Sequence, residues 1–222
     1  MRVILAAVLL ASALAGGPAL GAARADSETC PPTCDKIPDT AWIQPRDIPL
    51  NSAYRWPSLA RIAEPLTQMT PRFRFEELCA TPVFPQDTRD FAVTARASVV
   101  NPQGQWQLQA QILHWRGDTA RGGQNVMSVF TIAGAALRGC QLGSPDQSPS
   151  VTVDGPNRLA VVISGPVIMH TYLVAHPQSS TISTLALWSS GPPRVPWPVL
   201  SDDQVLDAMT GPLCEAYISS CG

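Results

Sequence analysis

The clearest pattern along the chain is an alternation. Phe91, Val93, Ala95, Ala97 and Val99 are apolar, with Ala92, Thr94, Arg96 and Ser98 between them. The turn Asn101-Pro102-Gln103-Gly104 follows, and Trp106, Leu108, Ala110 and Ile112 then alternate with Gln107, Gln109 and Gln111. Successive side chains on a strand point to opposite faces, so this pattern predicts a hairpin with one apolar and one polar face. The period then changes. Val126, Val129, Phe130, Ala133 and Leu137 fall on one helical stripe, predicting a helix of about 18 residues that ends at Gly139-Cys140. Two more hairpins are expected. Ser150–Asp154 pairs with Arg158–Ser164 around Gly155-Pro156-Asn157, and Val167–Ala175 pairs with Thr181–Ser189 through His176-Pro177-Gln178-Ser179.

The flanks are helical. From Ser58, the residues Leu59, Ile62, Ala63, Leu66 and Met69 share a face, with Pro65 as a kink, and a short helix spans Phe75 to Ala80. The last helix opens at Ser201-Asp202-Asp203-Gln204, the pattern of a capping box, and Pro212 bends it. The fold class is therefore α+β: a largely antiparallel sheet of about six strands, with helices packed on its one apolar face.

The N-terminus carries a different message. Arg2 precedes an apolar run from Val3 to Ala15, and Ala23-Arg24-Ala25 has the form of a signal-peptidase site. The run stops at Gly16-Gly17-Pro18, short of the roughly 20 residues a membrane span needs. Residues 1–25 are thus expected to be a cleaved secretory signal, leaving no stable membrane span and placing the chain outside the cell or in the envelope. Residues 26–57 are proline-rich and read as an arm laid over the domain, pinned by Trp42 and Trp56, and residues 58–222 as a single α+β domain.

Export changes how the cysteines are read. Six of them, Cys30, Cys34, Cys79, Cys140, Cys214 and Cys221, all follow the signal, and an even number in an exported chain points to disulfides. Fifteen full pairings are possible and the sequence does not choose among them. Proximity along the chain favours Cys30 with Cys34, Cys214 with Cys221, and Cys79 with Cys140.

Charge and motifs exclude several functions. Fifteen basic residues against 17 acidic ones, without a clustered basic run, leave no footprint for nucleic acid. Nucleotide binding lacks a phosphate loop, and Gly122-Gly123 is too short to cradle one. A serine hydrolase would need a nucleophile on a strand-to-helix turn, and no G-x-S-x-G occurs. The three histidines, His114, His170 and His176, match no zinc signature, and Cys30-Pro31-Pro32-Thr33-Cys34 is not the redox C-x-x-C. No catalytic residue, metal or cofactor is assigned. Arg116-Gly117-Asp118 is read as a helix start, with Asp118 or Thr119 as cap.

A neutral hydrogen-bonding surface remains. Gln107, Gln109 and Gln111, opposed by Arg96, could contact sugars or peptide backbone, because amides both donate and accept. His170 and Tyr172 share one side of their strand and join this ligand-binding set, while Trp115 falls out of phase with the core residue Trp106. The chain then reads as an exported non-catalytic domain that binds an envelope ligand or partner protein. The alternatives are an exported hydrolase with an unfamiliar site near His114, Asp118 and His170, or a structural envelope protein.

The Ala-rich helix ending at Cys140, the strands after it and the late Cys214 resemble exported mycobacterial and actinobacterial proteins of unknown function. More distantly, they resemble the extracellular sensor domain of mycobacterial receptor kinases. The similarity covers element order over about residues 58–221 and carries over no site residue. It implies a sensing or binding module with helices on an antiparallel sheet.

Overall fold

Seven strands form one sheet in which every pairing is antiparallel. The computed structural model describes residues 30–221, apart from positions 32, 68, 86 and 219, so the expected signal segment lies outside the described residues. The strands are β1 (Glu64–Pro65), β2 (Val93–Val99), β3 (Gln107–His114), β4 (Ser148–Asp154), β5 (Arg158–Ser164), β6 (Val167–His176) and β7 (Thr181–Ser190). Their order is β1-β2-β3-β7-β6-β5-β4, so two meanders meet where β3 pairs with β7. The helices are α1 (Asn51–Tyr54), α2 (Leu59–Ile62), α3 (Arg74–Leu78), α4 (Thr119–Arg138), α5 (Cys140–Gly143) and α6 (Asp202–Ala216). With α4 and α5 linking central β3 to the far edge strand β4, the long connection crosses one face of the sheet.

The α+β class and the antiparallel sheet are as expected, and two details differ. The added strand is β1. Proline cannot continue a helix, so the helix opening after Ser58 ends at Ile62, and Glu64–Pro65 instead pairs with Arg96 and Ala95 on the sheet edge, where a missing N–H is tolerated.

The second difference is that both faces are covered. On one face Leu108, Ala110, Ile112, Tyr172, Val174, Leu185 and Leu187 pack against α6 and the N-terminal segment. On the other, Leu113, Leu159, Val161, Ile163, Met169, Leu173 and Ile182 pack against α4 and the region around α3. The cause lies in the strands themselves. Ile112-Leu113, Leu159-Ala160-Val161 and Leu173-Val174-Ala175 are apolar at consecutive positions, as in a sheet buried on two sides. Trp115 is accordingly buried on the α4 face, with its indole N–H donated to the Thr88 carbonyl at 2.9 Å.

The proline-rich arm belongs to the first of these cores. Trp42, Ile43, Ile48, Leu50 and Trp56 are buried there, and the Trp56 indole donates to the Pro49 carbonyl at 2.8 Å. The arm also meets the far end of the chain. Cys30 N–H donates to the Ala216 carbonyl at 2.8 Å and the Cys30 carbonyl accepts from Ile218 N–H at 3.1 Å, a parallel bridge alongside Tyr217.

Local signals set the helix ends. The Asp118 carboxylate accepts from Arg121 N–H at 2.7 Å, so this aspartate caps α4. Ser201 occupies the N-cap position of α6, but its side chain makes no capping bond. Gly122 and Gly123 let α4 approach the β6–β7 turn, where a Cβ on Gly122 would sit 2.2 Å from Ser180 Oγ. Between α3 and β2 the chain is tied by a buried ion cluster in which Arg89 meets Glu76 at 2.6 Å and Asp87 at 2.6 Å. Burial opposes the Arg89 charge, yet these two carboxylates hold its pKa above the ordinary value.

The cysteines pair as Cys30–Cys34, Cys79–Cys140 and Cys214–Cys221. The long-range bond fastens α3 to the start of α5.

Candidate functional site

The polar positions of β2 and β3 are folded inward. Arg96 Nε donates to Gln111 Oε1 at 2.9 Å and another guanidinium nitrogen donates to the Arg72 carbonyl at 2.7 Å. Burial pulls the Arg96 pKa below its usual value, against the attraction of Glu77. Gln111 is fully buried and Gln109 nearly so, because the segment leading to α3 lies over this face. Gln107 closes its own hairpin: its amide accepts from Asn101 N–H and donates to the Asn101 carbonyl, both at 2.6 Å. Gln107 and the Gln111 carbonyl oxygen are thus spent on internal bonds, while the buried Gln111 Nε2 has no hydrogen-bond partner among the described residues.

His170 and Tyr172 lie on the opposite face, with α6, so the six sequence-chosen residues do not form one surface. Tyr172 donates its hydroxyl to Asp202 at 2.7 Å, and burial, followed by this carboxylate, drives the phenol pKa upward. His170 stacks on Trp197, with ring centroids 3.5 Å apart, and meets the edge of Trp106 at 5.7 Å. Trp106 in turn donates to the Val195 carbonyl at 2.8 Å. The proline-rich loop after β7 therefore closes over the imidazole. Its Nδ1 is buried without a hydrogen-bond partner, and desolvation lowers its pKa to about 4, outweighing nearby Asp202.

The residues of the hydrolase alternative are dispersed. His114 pairs in register with Thr181 and His170 with Leu187, a separation along β7 of roughly 20 Å at strand rise. Asp118 is occupied in capping α4.

A concavity of a different character lies beside the central disulfide. Phe84, Ile132, Ala135, Ala136 and Leu142 line a groove of about 350 Å³ whose base is Cys79, Gly139 and Gly143. None of its lining residues is charged. Leu142 is 91% exposed, Phe84 43% and Ile132 40%, which leaves three large apolar side chains open to water around one hollow. The disulfide makes the shape possible. It holds α5 against α3 so closely that a Cβ on Gly143 would sit 2.3 Å from the Cys79 carbonyl oxygen.

One set of side chains among the described residues has metal-ligand chemistry: His176 with Cys214 and Cys221. These residues are remote in sequence, so no spacing motif could have revealed them. The groove was equally hidden, because Phe84 and Leu142 sit outside every periodic segment. Their signal was the placement of large apolar residues in predicted loops. No family model matches the chain, and neither a curated protein nor a solved structure is significantly similar to it.

Proposed function

We propose that this chain is an exported, non-catalytic binding domain that holds the apolar chain of an envelope lipid in the groove between α4, α5 and the segment after α3. The observation that carries this reading is the exposure of Phe84, Ile132 and Leu142 around an uncharged hollow. Its volume falls within the roughly 300–1,000 Å³ typical of small-ligand sites. An uncharged lining with Thr81 as its one polar side chain favours a hydrocarbon tail over a sugar or a phosphate, since it offers no charge and little else to pair with them. Three disulfides suit an oxidising compartment. Among the described residues no helix is long and apolar enough to cross a membrane.

The test is displacement of a fluorescent fatty-acid probe from the purified protein. Ile132→Glu puts a charge on the rim at a partly exposed position, and is expected to weaken probe binding at least about tenfold while the far-ultraviolet circular dichroism stays unchanged. Equal binding by both proteins, or no binding by either, would refute the lipid reading. In the second case a partner protein becomes the occupant to seek.

A further inference from the structure

Where β6 ends, His176 is buried beneath the last turn of α6 and the tail that follows. Its Nδ1 lies 2.7 Å from Ser179 Oγ, and that hydroxyl donates its proton to the His176 carbonyl at 3.2 Å. With the hydroxyl proton on that carbonyl the oxygen accepts from the ring, an arrangement that has the imidazole proton on Nδ1 and the lone pair on Nε2. That lone pair points at sulfur. Nε2 is 3.5 Å from Cys221 Sγ and 3.7 Å from Cys214 Sγ, and in the disulfide neither sulfur has a proton to give.

We infer that opening the Cys214–Cys221 disulfide creates a zinc site made of His176 Nε2 and the two thiolates. The distances carry the argument. With Zn–S near 2.3 Å and Zn–N near 2.0–2.1 Å, tetrahedral coordination sets a nitrogen–sulfur edge of roughly 3.6 Å and a sulfur–sulfur edge of roughly 3.8 Å. Both nitrogen–sulfur edges are already present, so only the two sulfurs must part. Ser179 supplies the outer contact that fixes the tautomer of a ligating histidine. Cys221 is exposed, so a water from solvent completes the fourth position.

Access to a reductant is selective. Cys221 is exposed and Cys214 half-buried, whereas Cys79 and Cys140 are 2% and 1% exposed and Cys30 is 1% exposed beside a half-buried Cys34, so Cys221 offers the most open sulfur of the three disulfides. A small dithiol attacks Cys221 Sγ, forming a mixed disulfide and releasing Cys214 as its thiolate. The second thiol of the reagent displaces Cys221 and closes the reagent's own disulfide. The protein bond gains two electrons and the reagent loses two. Zn²⁺ then replaces the two thiol protons, which pass to water, and accepts the Nε2 lone pair.

The experiment treats the exported protein anaerobically with a limiting dithiol, maps the free thiols by alkylation and mass spectrometry, removes the reagent and adds Zn²⁺ or Co²⁺. Two thiols are expected, at Cys214 and Cys221, with one zinc per reduced chain and none per oxidised chain. The cobalt form should show sulfur-to-metal charge transfer and the intense visible bands of a tetrahedral site. His176→Ala should weaken zinc binding at least about tenfold. The inference is overturned by thiols mapped to another pair, by a reduced chain that takes no zinc, or by wild-type affinity in His176→Ala. Should that variant not fold, the wild-type cobalt spectrum decides alone, and octahedral bands sink the site.

Discussion

At the scale of single residues, His170 shows how packing overrides an ordinary titration. An imidazole free in water binds its proton near pH 6.5, whereas the indole of Trp197 and the wall of Trp106 hold this one neutral to about pH 4. Between those values the unfolded chain binds a proton that the folded chain refuses, so acid favours unfolding. The contribution of His170 is complete above about pH 6.5 and is lost as pH falls toward 4. Burial shifts His176 in the same direction. Urea midpoints measured from about pH 7 to about pH 4.5 should therefore fall, and fall less steeply in His170→Phe, which keeps a stacked ring without the titration. Identical slopes for the two proteins would show that His170 is not held neutral. The same residue marks a limit of reading side by side. Alternation placed His170 and Tyr172 together correctly, but which layer they faced depended on α6 and the loop of Trp197, which lie far along the chain.

Elements were legible where a period was clean and obscured where two neighbours competed for one strand. The hairpin of β2 and β3 and the length of α4 follow directly from their apolar spacing. The polar face of that hairpin did not predict solvent, because β3 sits between β2 and β7 and the segment before α3 closes over it. Gly122-Gly123 is a parallel case. Set aside as a phosphate cradle, the pair serves instead as the point where α4 comes down on the turn after β6. A methyl group there must move the Ser180 side chain or the helix, and Gly122→Ala should cost about 1–3 kcal/mol despite the better helix propensity of alanine. Beyond its chain neighbours a methyl group at Gly211 in α6 would meet nothing within 4 Å, but Pro212 next to it disfavours a helical residue with a Cβ, so Gly211→Ala should gain at most about 0.5 kcal/mol. Chemical denaturation of the two variants side by side checks both signs. A Gly122→Ala protein as stable as the parent would remove close packing as the reason for that glycine.

Across the whole molecule, the cysteine pairs follow the rule of proximity, since two pairs close short loops and leave the third with one choice. What that third bond shapes was not legible, because the groove exists only once α3, α4 and α5 meet. Cys79–Cys140 spans 61 residues, and by the chain-entropy account its loss should cost roughly 4 kcal/mol. The Cys79→Ser, Cys140→Ser double variant should therefore melt well below the parent. Its fatty-acid probe affinity should also fall even at temperatures where it remains folded, and unchanged affinity would separate the groove from the bond beneath it.

The parallel bridge between Cys30 and Tyr217 imposes an order in time. A chain is synthesised from its N-terminus, and residue 30 emerges long before its neighbour in the finished fold. Trp42, Ile48, Leu50 and Trp56 appear early as well, before α6, the helix they pack against, has been made. Until the segment around residue 217 is through, the arm has half a core and an unanswered edge. This architecture cannot close from the front. It waits, apolar side chains uncovered, for its last helix, and the interval between is when a chaperone would find most to hold.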